Sequence, residues 1–339
     1  MRLLIRADAT VEMGTGHVMR CIALGQAWQD AGGTVEFLTE CDSDALVDRL
    51  QTERFFVRRL SSGSGWRVFR EACRETPPAA VVLDGYHFDA EDQKRVRDCV
   101  RPLLVVDDLA RLSGYSADLV LNQNIYAAEL DYQCESHTRL LLGCQWVLLR
   151  REFRRWRGWR REIPRTARKL LIVLGGSDPA NITLRVVHAL RSPALPRNLE
   201  TLAVVGGANP HAASLREAVR GLPRIEIRGN VSDMPALMAW ADVAITGAGS
   251  TCWEMAFMGL PFSALILADN QERVANSLEA AGVARNLGRG ELAAPETVAS
   301  AVGAMARSRP WREKLNGAGR RLVLGDGAEA AVAAIRGLL

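Results

Sequence analysis

Short apolar runs alternate with amphipathic stretches along the chain, and the pattern occurs twice. In the first half the runs are Leu3–Arg6, Val35–Leu38, Ala80–Leu83, Leu103–Val106 and Leu119–Leu121. In the second they are Leu170–Leu174, Leu202–Val205, Ile225–Ile227, Val243–Thr246 and Ala264–Leu267. Each is too short for a helix and is flanked by Gly, Asp or Pro, so each reads as a strand buried on both faces. Segments between them, such as His17–Ala31 and Thr183–Leu190, carry the helical period. Strand–helix alternation on this scale implies doubly wound parallel sheets. The two halves also resemble each other. LLIRADATVEMGTGHVMRCIALGQA and LLIVLGGSDPANITLRVVHAL each run from a strand through a glycine turn into a helix.

A length of 339 residues suits about two domains of this kind. The expected fold is α/β, with two Rossmann-like domains over 1–155 and 165–325. The boundary is expected near Arg151–Thr166, where charge is densest and Pro164 interrupts. Open parallel sheets bind ligands outside the carboxyl ends of their strands, so the two domains are expected to face a cleft. The segment 326–339 has a helical pattern and is expected to cross back to the first domain.

Composition narrows the class. Hydrophobic residues are 48% and charged residues 24%, which excludes a disordered, collagenous or coiled-coil chain. No apolar run reaches the ~18 residues of a membrane span, and MRLLIRADAT lacks a signal-peptide core. A cytoplasmic protein without stable membrane association is the expectation. The seven cysteines are scattered, with no CxxC pair, so neither a disulfide framework nor a zinc module is expected. Arg150–Lys169 holds ten cations, with Trp156 and Trp159 interleaved. Basic plus aromatic character suits nucleic acid. A net charge of only +4, with no excess elsewhere, favours a solvated interdomain connection and no nucleic-acid partner.

Six strand-end loops carry the candidate chemistry. Gly14-Thr15-Gly16-His17 places glycines and a histidine at a helix start. Free N–H groups there suit an anion, and the positive end of the helix dipole favours a neutral ring able to accept a proton. A packing histidine is the ordinary alternative. A dinucleotide fingerprint would need glycine where Met19 stands. Gly175-Gly176-Ser177-Asp178-Pro179 offers backbone N–H groups to phosphate, with Asp178 as an N-cap and Pro179 as the first helical residue. Gly247-Ala248-Gly249-Ser250-Thr251 does the same, and Glu254 stands either at capping-box spacing from Thr251 or ready to grip a ribose diol. Asp269-Asn270-Gln271 either caps a helix or reads sugar hydroxyls and an acetamido group. Asp84-Gly85-Tyr86 and Asp107-Asp108 complete the set. Paired aspartates suit a divalent metal, but no His or Glu joins them at ligand spacing, so no metal and no cofactor is expected. His87, His137, His188 and His211 fall in no motif.

Together these stretches resemble one family. IRADATVEMGTGHVMRCIALGQA, VVLDGYHFD, LLVVDDLA, ADLVLNQN, LLGCQWVLLRREF, LIVLGGSDPANIT, ADVAITGAGSTCWEMAFMGLP and the DNQ segment are similar, in order, to the PseG family of UDP-sugar hydrolases in pseudaminic acid biosynthesis. The GTGH and GAGSTxWE pieces also resemble MurG-type glycosyltransferases. Cys144 and Trp146 stand where that family more usually has proline and tyrosine, a departure that touches substrate choice. The resemblance implies a two-domain GT-B fold and a UDP-linked 2,4-diacetamido-2,4,6-trideoxy-β-L-altropyranose as substrate. It implies inverting water attack at the anomeric carbon without metal; a monomer is the separate expectation for the assembly. His17 matches the general base. Asp8, Gly14, Gly16, Arg20, Tyr86, Asn270 and Gln271 match sugar-binding positions. Gly175, Gly176, Ser177, Gly249, Ser250, Thr251 and Glu254 match the UDP site. The alternative on the same fold is a MurG-like UDP-sugar glycosyltransferase. The residues suit hydrolysis: a diphosphate is a weakly basic leaving group, so a single base suffices where a glycosidase needs two carboxyl groups.

Overall fold

The computed structural model describes residues 1–10, 13–207, 209–229 and 231–339; Val11 and Glu12 of the first glycine-loop stretch lie outside them. The chain divides into two units, Met1–Arg151 with Gly325–Leu339, and Glu152–Leu324.

Among the described residues the first unit carries a seven-stranded parallel sheet. Its strands are β1 (Arg2–Ala7), β2 (Thr34–Thr39), β3 (Phe56–Arg59), β4 (Ala80–Asp84), β5 (Leu103–Val106), β6 (Leu119–Asn122) and β7 (Arg139–Leu142). They lie in the order β3-β2-β1-β4-β5-β6-β7. The apolar runs show no alternation because both faces are covered. Leu3, Ile5 and Ala7 of β1 pack under the helix Gly16–Asp30, while Leu4 joins the opposite core with Val81 and Leu83. The C-terminal helix Gly327–Arg336 adds Ala328, Ala331, Val332 and Ile335 to the core around Gly16–Asp30.

Among the described residues of the second unit the sheet has six parallel strands: β8 (Lys169–Val173), β9 (Glu200–Val205), β10 (Ile225–Gly229), β11 (Val243–Gly247), β12 (Phe262–Ile266) and β13 (Ala284–Arg289). Their order is β10-β9-β8-β11-β12-β13. In each sheet the winding reverses beside the first strand of its unit, between β1 and β4 and between β8 and β11. The carboxyl ends there diverge and leave room for a ligand.

All ten apolar runs form strands. Three further strands, β3, β7 and β13, lie at sheet edges and are half exposed; β3 and β13 carry no continuous apolar run, whereas β7 carries Leu140–Leu142. The arginine-rich segment is built into the second unit. Arg161 is mostly buried and donates to the carbonyls of Met238, Ala241 and Met258, and its guanidinium covers the Trp159 ring at 5.1 Å. Arg155 pairs with Asp233, and Trp156 meets Trp159 edge-on. Cys144 is buried, and Trp146 packs against the first unit's core beside the C-terminal helix. No helix among the described residues is long and apolar enough to cross a membrane.

Candidate active site

The first unit gathers a buried charged cluster at its winding reversal. The helix Gly16–Asp30 starts after a turn in which Gly14 has a positive φ of 71°, a conformation that glycine adopts without strain. His17 is the second residue of that helix and is 6% exposed. Its Nδ1 lies 2.6 Å from Asp84 Oδ1 at the carboxyl end of β4, a contact spanning 67 residues of sequence. One turn further along the helix, Arg20 donates from Nε and Nη2 to both oxygens of Asp84, at 2.6 and 2.7 Å. Its Nη1 lies 2.9 Å from both oxygens of Asp108, just beyond β5. Asp108 also accepts from the Tyr86 hydroxyl at 2.8 Å and from Asn124 Nδ2 at 2.7 Å. The Tyr86 ring stands edge-on to the His17 ring, centroids 4.7 Å apart.

Charge fixes the tautomer. Burial opposes ionisation of Asp84, but Arg20 and His17 outweigh it and hold the carboxyl well below the usual carboxylate range. An ionised carboxylate only accepts, so the proton of the pair sits on His17 Nδ1. The basic lone pair is then on Nε2. Burial likewise opposes charge on Asp108 and on Arg20, and their mutual attraction prevails in both. Burial and the neighbouring Asp84 charge push the Cys21 thiol well up, so the thiol that donates to Asp84 stays protonated.

Asp107 and Asp108 do not form a pair. Asp107 accepts from the backbone of Leu109 and Ala110 and from the hydroxyls of Tyr115 and Tyr132, at 2.7–3.0 Å. It ties down its own loop while Asp108 faces Arg20. Among the described residues no three His, Cys, Asp or Glu side chains group as a metal site. Asp8 is buried and accepts from Arg6, from the Glu40 backbone at 2.6 Å and from His87 Nε2 at 3.0 Å. Burial raises its carboxyl, but the His87 hydrogen bond and the Arg6 charge bring it below the ordinary value. His87, which falls in no sequence motif, thus becomes the partner of Asp8.

The second unit places its loops at its own reversal. Gly175 follows β8 with a φ of +88°. The expected cap is corrected in detail. Asp178 stands in a turn, and the helix begins at Ile182 rather than at Pro179. The Asp178 carboxylate reaches across to accept from the backbone of Ile182 and Thr183, at 2.8 and 2.9 Å. After β11, Ser250 is the N-cap of the helix Thr251–Phe257 and makes no side-chain cap. With Thr251 already helical, Thr251 and Glu254 are not in capping-box positions. Asp269 and Asn270 do not cap either: Asp269–Gln271 is a 3₁₀ turn, and Gln271 is the N-cap of Glu272–Ala280. Gln271 Oε1 accepts from the Leu267 backbone at 3.0 Å, which lays the side chain against Gly247 and Gly249. Ser177, Gly249, Ser250, Thr251 and Glu254 are partly exposed, and Asn270 is exposed.

The structure therefore brings His17, Arg20 and Tyr86 together in the first unit, and Gly249 and Gln271 together in the second. Asp84, Asp108 and Asn124 are the members of the first cluster that the motifs did not assign. The aspartates were visible as strand-end acids, but nothing in the sequence pairs them with the helix after β1.

Residues 170–317 match the glycosyltransferase family 28 C-terminal domain. Over 338 residues the chain is 26% identical to the spore coat polysaccharide biosynthesis protein SpsG of Bacillus subtilis, covering 96% of this chain and 95% of that one. It is 24% identical over 289 residues to a Campylobacter jejuni UDP-2,4-diacetamido-2,4,6-trideoxy-β-L-altropyranose hydrolase, covering 83% and 97%. The fold is similar to that of Acinetobacter baumannii MurG, with a TM-score of 0.67 and 17% identity over 99% of this chain and 100% of that one.

Proposed function

We propose that the chain is of the PseG type, related to MurG, and that it hydrolyses UDP-2,4-diacetamido-2,4,6-trideoxy-β-L-altropyranose to UDP and the free sugar. The observation that carries this reading is the buried His17–Asp84 pair, 2.6 Å apart, with its basic lone pair on Nε2. Water is the nucleophile. Its oxygen bonds to the anomeric carbon as its proton passes to His17 Nε2. The bond from that carbon to the β-phosphate oxygen breaks, and its electron pair leaves with UDP. Attack opposite the leaving group inverts the anomeric configuration. Asp84 keeps the ring in the right tautomer and stabilises the imidazolium as it forms, the role of the third member in hydrolytic triads. UDP leaves unprotonated, so no carboxylic acid is needed.

The proposed roles fall unit by unit. In the first, His17 is the base and Tyr86 a sugar contact, with Arg20 behind them. In the second, the backbone N–H groups of Gly175, Gly176, Ser177, Gly249, Ser250 and Thr251 take the diphosphate, and Glu254 takes the ribose hydroxyls. Asn270 and Gln271 contact the sugar.

Hydrolysis in ¹⁸O-water tests the reading. Label should enter the sugar and not UDP, and the first-formed sugar should be inverted. His17→Ala should bind UDP nearly as well while kcat falls roughly 10²–10⁴-fold, the usual worth of a general base. Activity should fall as the pH is lowered, because a general base works only unprotonated. Label in UDP, or a fully active His17→Ala, overturns the mechanism. The match to the family 28 domain supports a second reading, sugar transfer to an acceptor. UDP release with no acceptor present decides for hydrolysis; release only on adding an acceptor decides for transfer.

A further inference from the structure

The contacts around His17 close into a ring. His17 meets Asp84, Asp84 meets Arg20, Arg20 meets Asp108, Asp108 meets the Tyr86 hydroxyl, and the Tyr86 ring returns to His17. We propose that Asp108 is a positioning residue that couples the sugar seat to the base: it holds Tyr86 by its hydroxyl and, through Arg20, sets the charge that His17 faces. This rests on His17 serving as the base.

Counting charges shows why. Among the described residues the groups facing His17 are Asp84 from β4, Arg20 and Cys21 from its own helix, Tyr86 from the loop after β4, and Asp108 from the loop after β5. Cys21 and Tyr86 are neutral, so two carboxylates and one guanidinium leave a net charge of −1. A proton gained at His17 brings the cluster to zero. Arg20 works against that proton, since its Nη2 lies 3.3 Å from His17 Nδ1. Asp84 by itself balances Arg20 and no more. Asp108 supplies the surplus negative charge that favours the imidazolium formed during attack. It does so in a buried setting, where water screens little. The same carboxylate spends its remaining capacity on Tyr86 and Asn124. A sugar resting on Tyr86 is therefore registered against the base by a single side chain.

The test compares Asp108→Asn with Tyr86→Phe in the full chain, by pH–rate profiles of UDP release. Asp108→Asn removes the surplus charge and leaves Asp84 alone to balance Arg20. Its acid limb should move about one unit to lower pH, the usual size for losing one neighbouring opposite charge. Its plateau kcat should fall several-fold, and its KM should rise. Tyr86→Phe cuts only the hydroxyl tie, so KM should rise with the acid limb in place. If Asp108→Asn does not fold, Asp108→Glu serves instead. It keeps the charge and lengthens the tie, so KM should rise without movement of the limb. An unmoved limb in Asp108→Asn, or a displaced one in Asp108→Glu, overturns the proposal. An active His17→Ala would fail the hydrolase mechanism itself, which separates the two outcomes.

Discussion

His17 Nδ1 and Asp84 Oδ1 lie 2.6 Å apart with both side chains buried, and the two residues come from opposite sides of the winding reversal of the first sheet. Replacing Asp84 with Asn keeps the shape but lets the amide donate to His17. The proton can then move to Nε2, which would occupy the lone pair that the reaction needs. Asp84→Asn should lower kcat by about 10²–10⁴-fold with UDP affinity nearly unchanged. A loss below tenfold, measured as steady-state UDP release, would remove Asp84 from the mechanism.

Asp84 also ties stability to pH. Its folded-state carboxyl titrates below the unfolded value of about 3.9, so its contribution is present above that value. The contribution is lost as pH falls toward the lower folded value. Denaturant unfolding from pH 6 down to pH 3 should show the wild type more stable than Asp84→Asn at the upper end. The gap should narrow below about pH 4. A constant gap would contradict the assignment.

Glu254 lies in the first turn of a helix that starts at Thr251, outside the capping-box position, and the proposed ribose contact can be tested there on its own. Glu254→Ala should raise KM roughly 10–100-fold, the worth of a hydrogen bond to a charged group, with kcat unchanged. A large drop in melting temperature with unaltered UDP binding would make the residue structural.

Asp107 and Asp108 spend their oxygens on tyrosines, amides and Arg20. UDP release should therefore persist in excess chelator. Complete loss, restored by magnesium or manganese, would require a ligand set that these two residues do not form.

The C-terminal helix docks through a glycine. A Cβ on Gly327 would lie 2.5 Å from the Trp146 carbonyl carbon and the Val147 oxygen, both backbone atoms that cannot yield. Gly327→Ala should cost about 1–3 kcal/mol of stability as overpacking does. Calorimetry of the variant checks it, and an unchanged melting temperature would show that the helix detaches freely.

The apolar runs alone determined that this chain builds parallel sheets. A strand covered on both faces must be apolar throughout, and that requirement is written locally. The helix start at His17 was legible for the same reason: a glycine turn and a helical period sit side by side in sequence. Edge strands β3 and β13 escaped because half-exposure lifts the demand for apolar residues. So did the helix starts at Ile182 and Glu272, where the backbone turned further than a residue pattern specifies. The charged cluster belongs to tertiary structure alone. Arg20 meets Asp84 and Asp108 across 64 and 88 residues, and they meet because β1, β4 and β5 are neighbours in the sheet. Strand order is set by how the whole sheet buries its faces, so no local pattern could tell which strand-end aspartate would find the histidine.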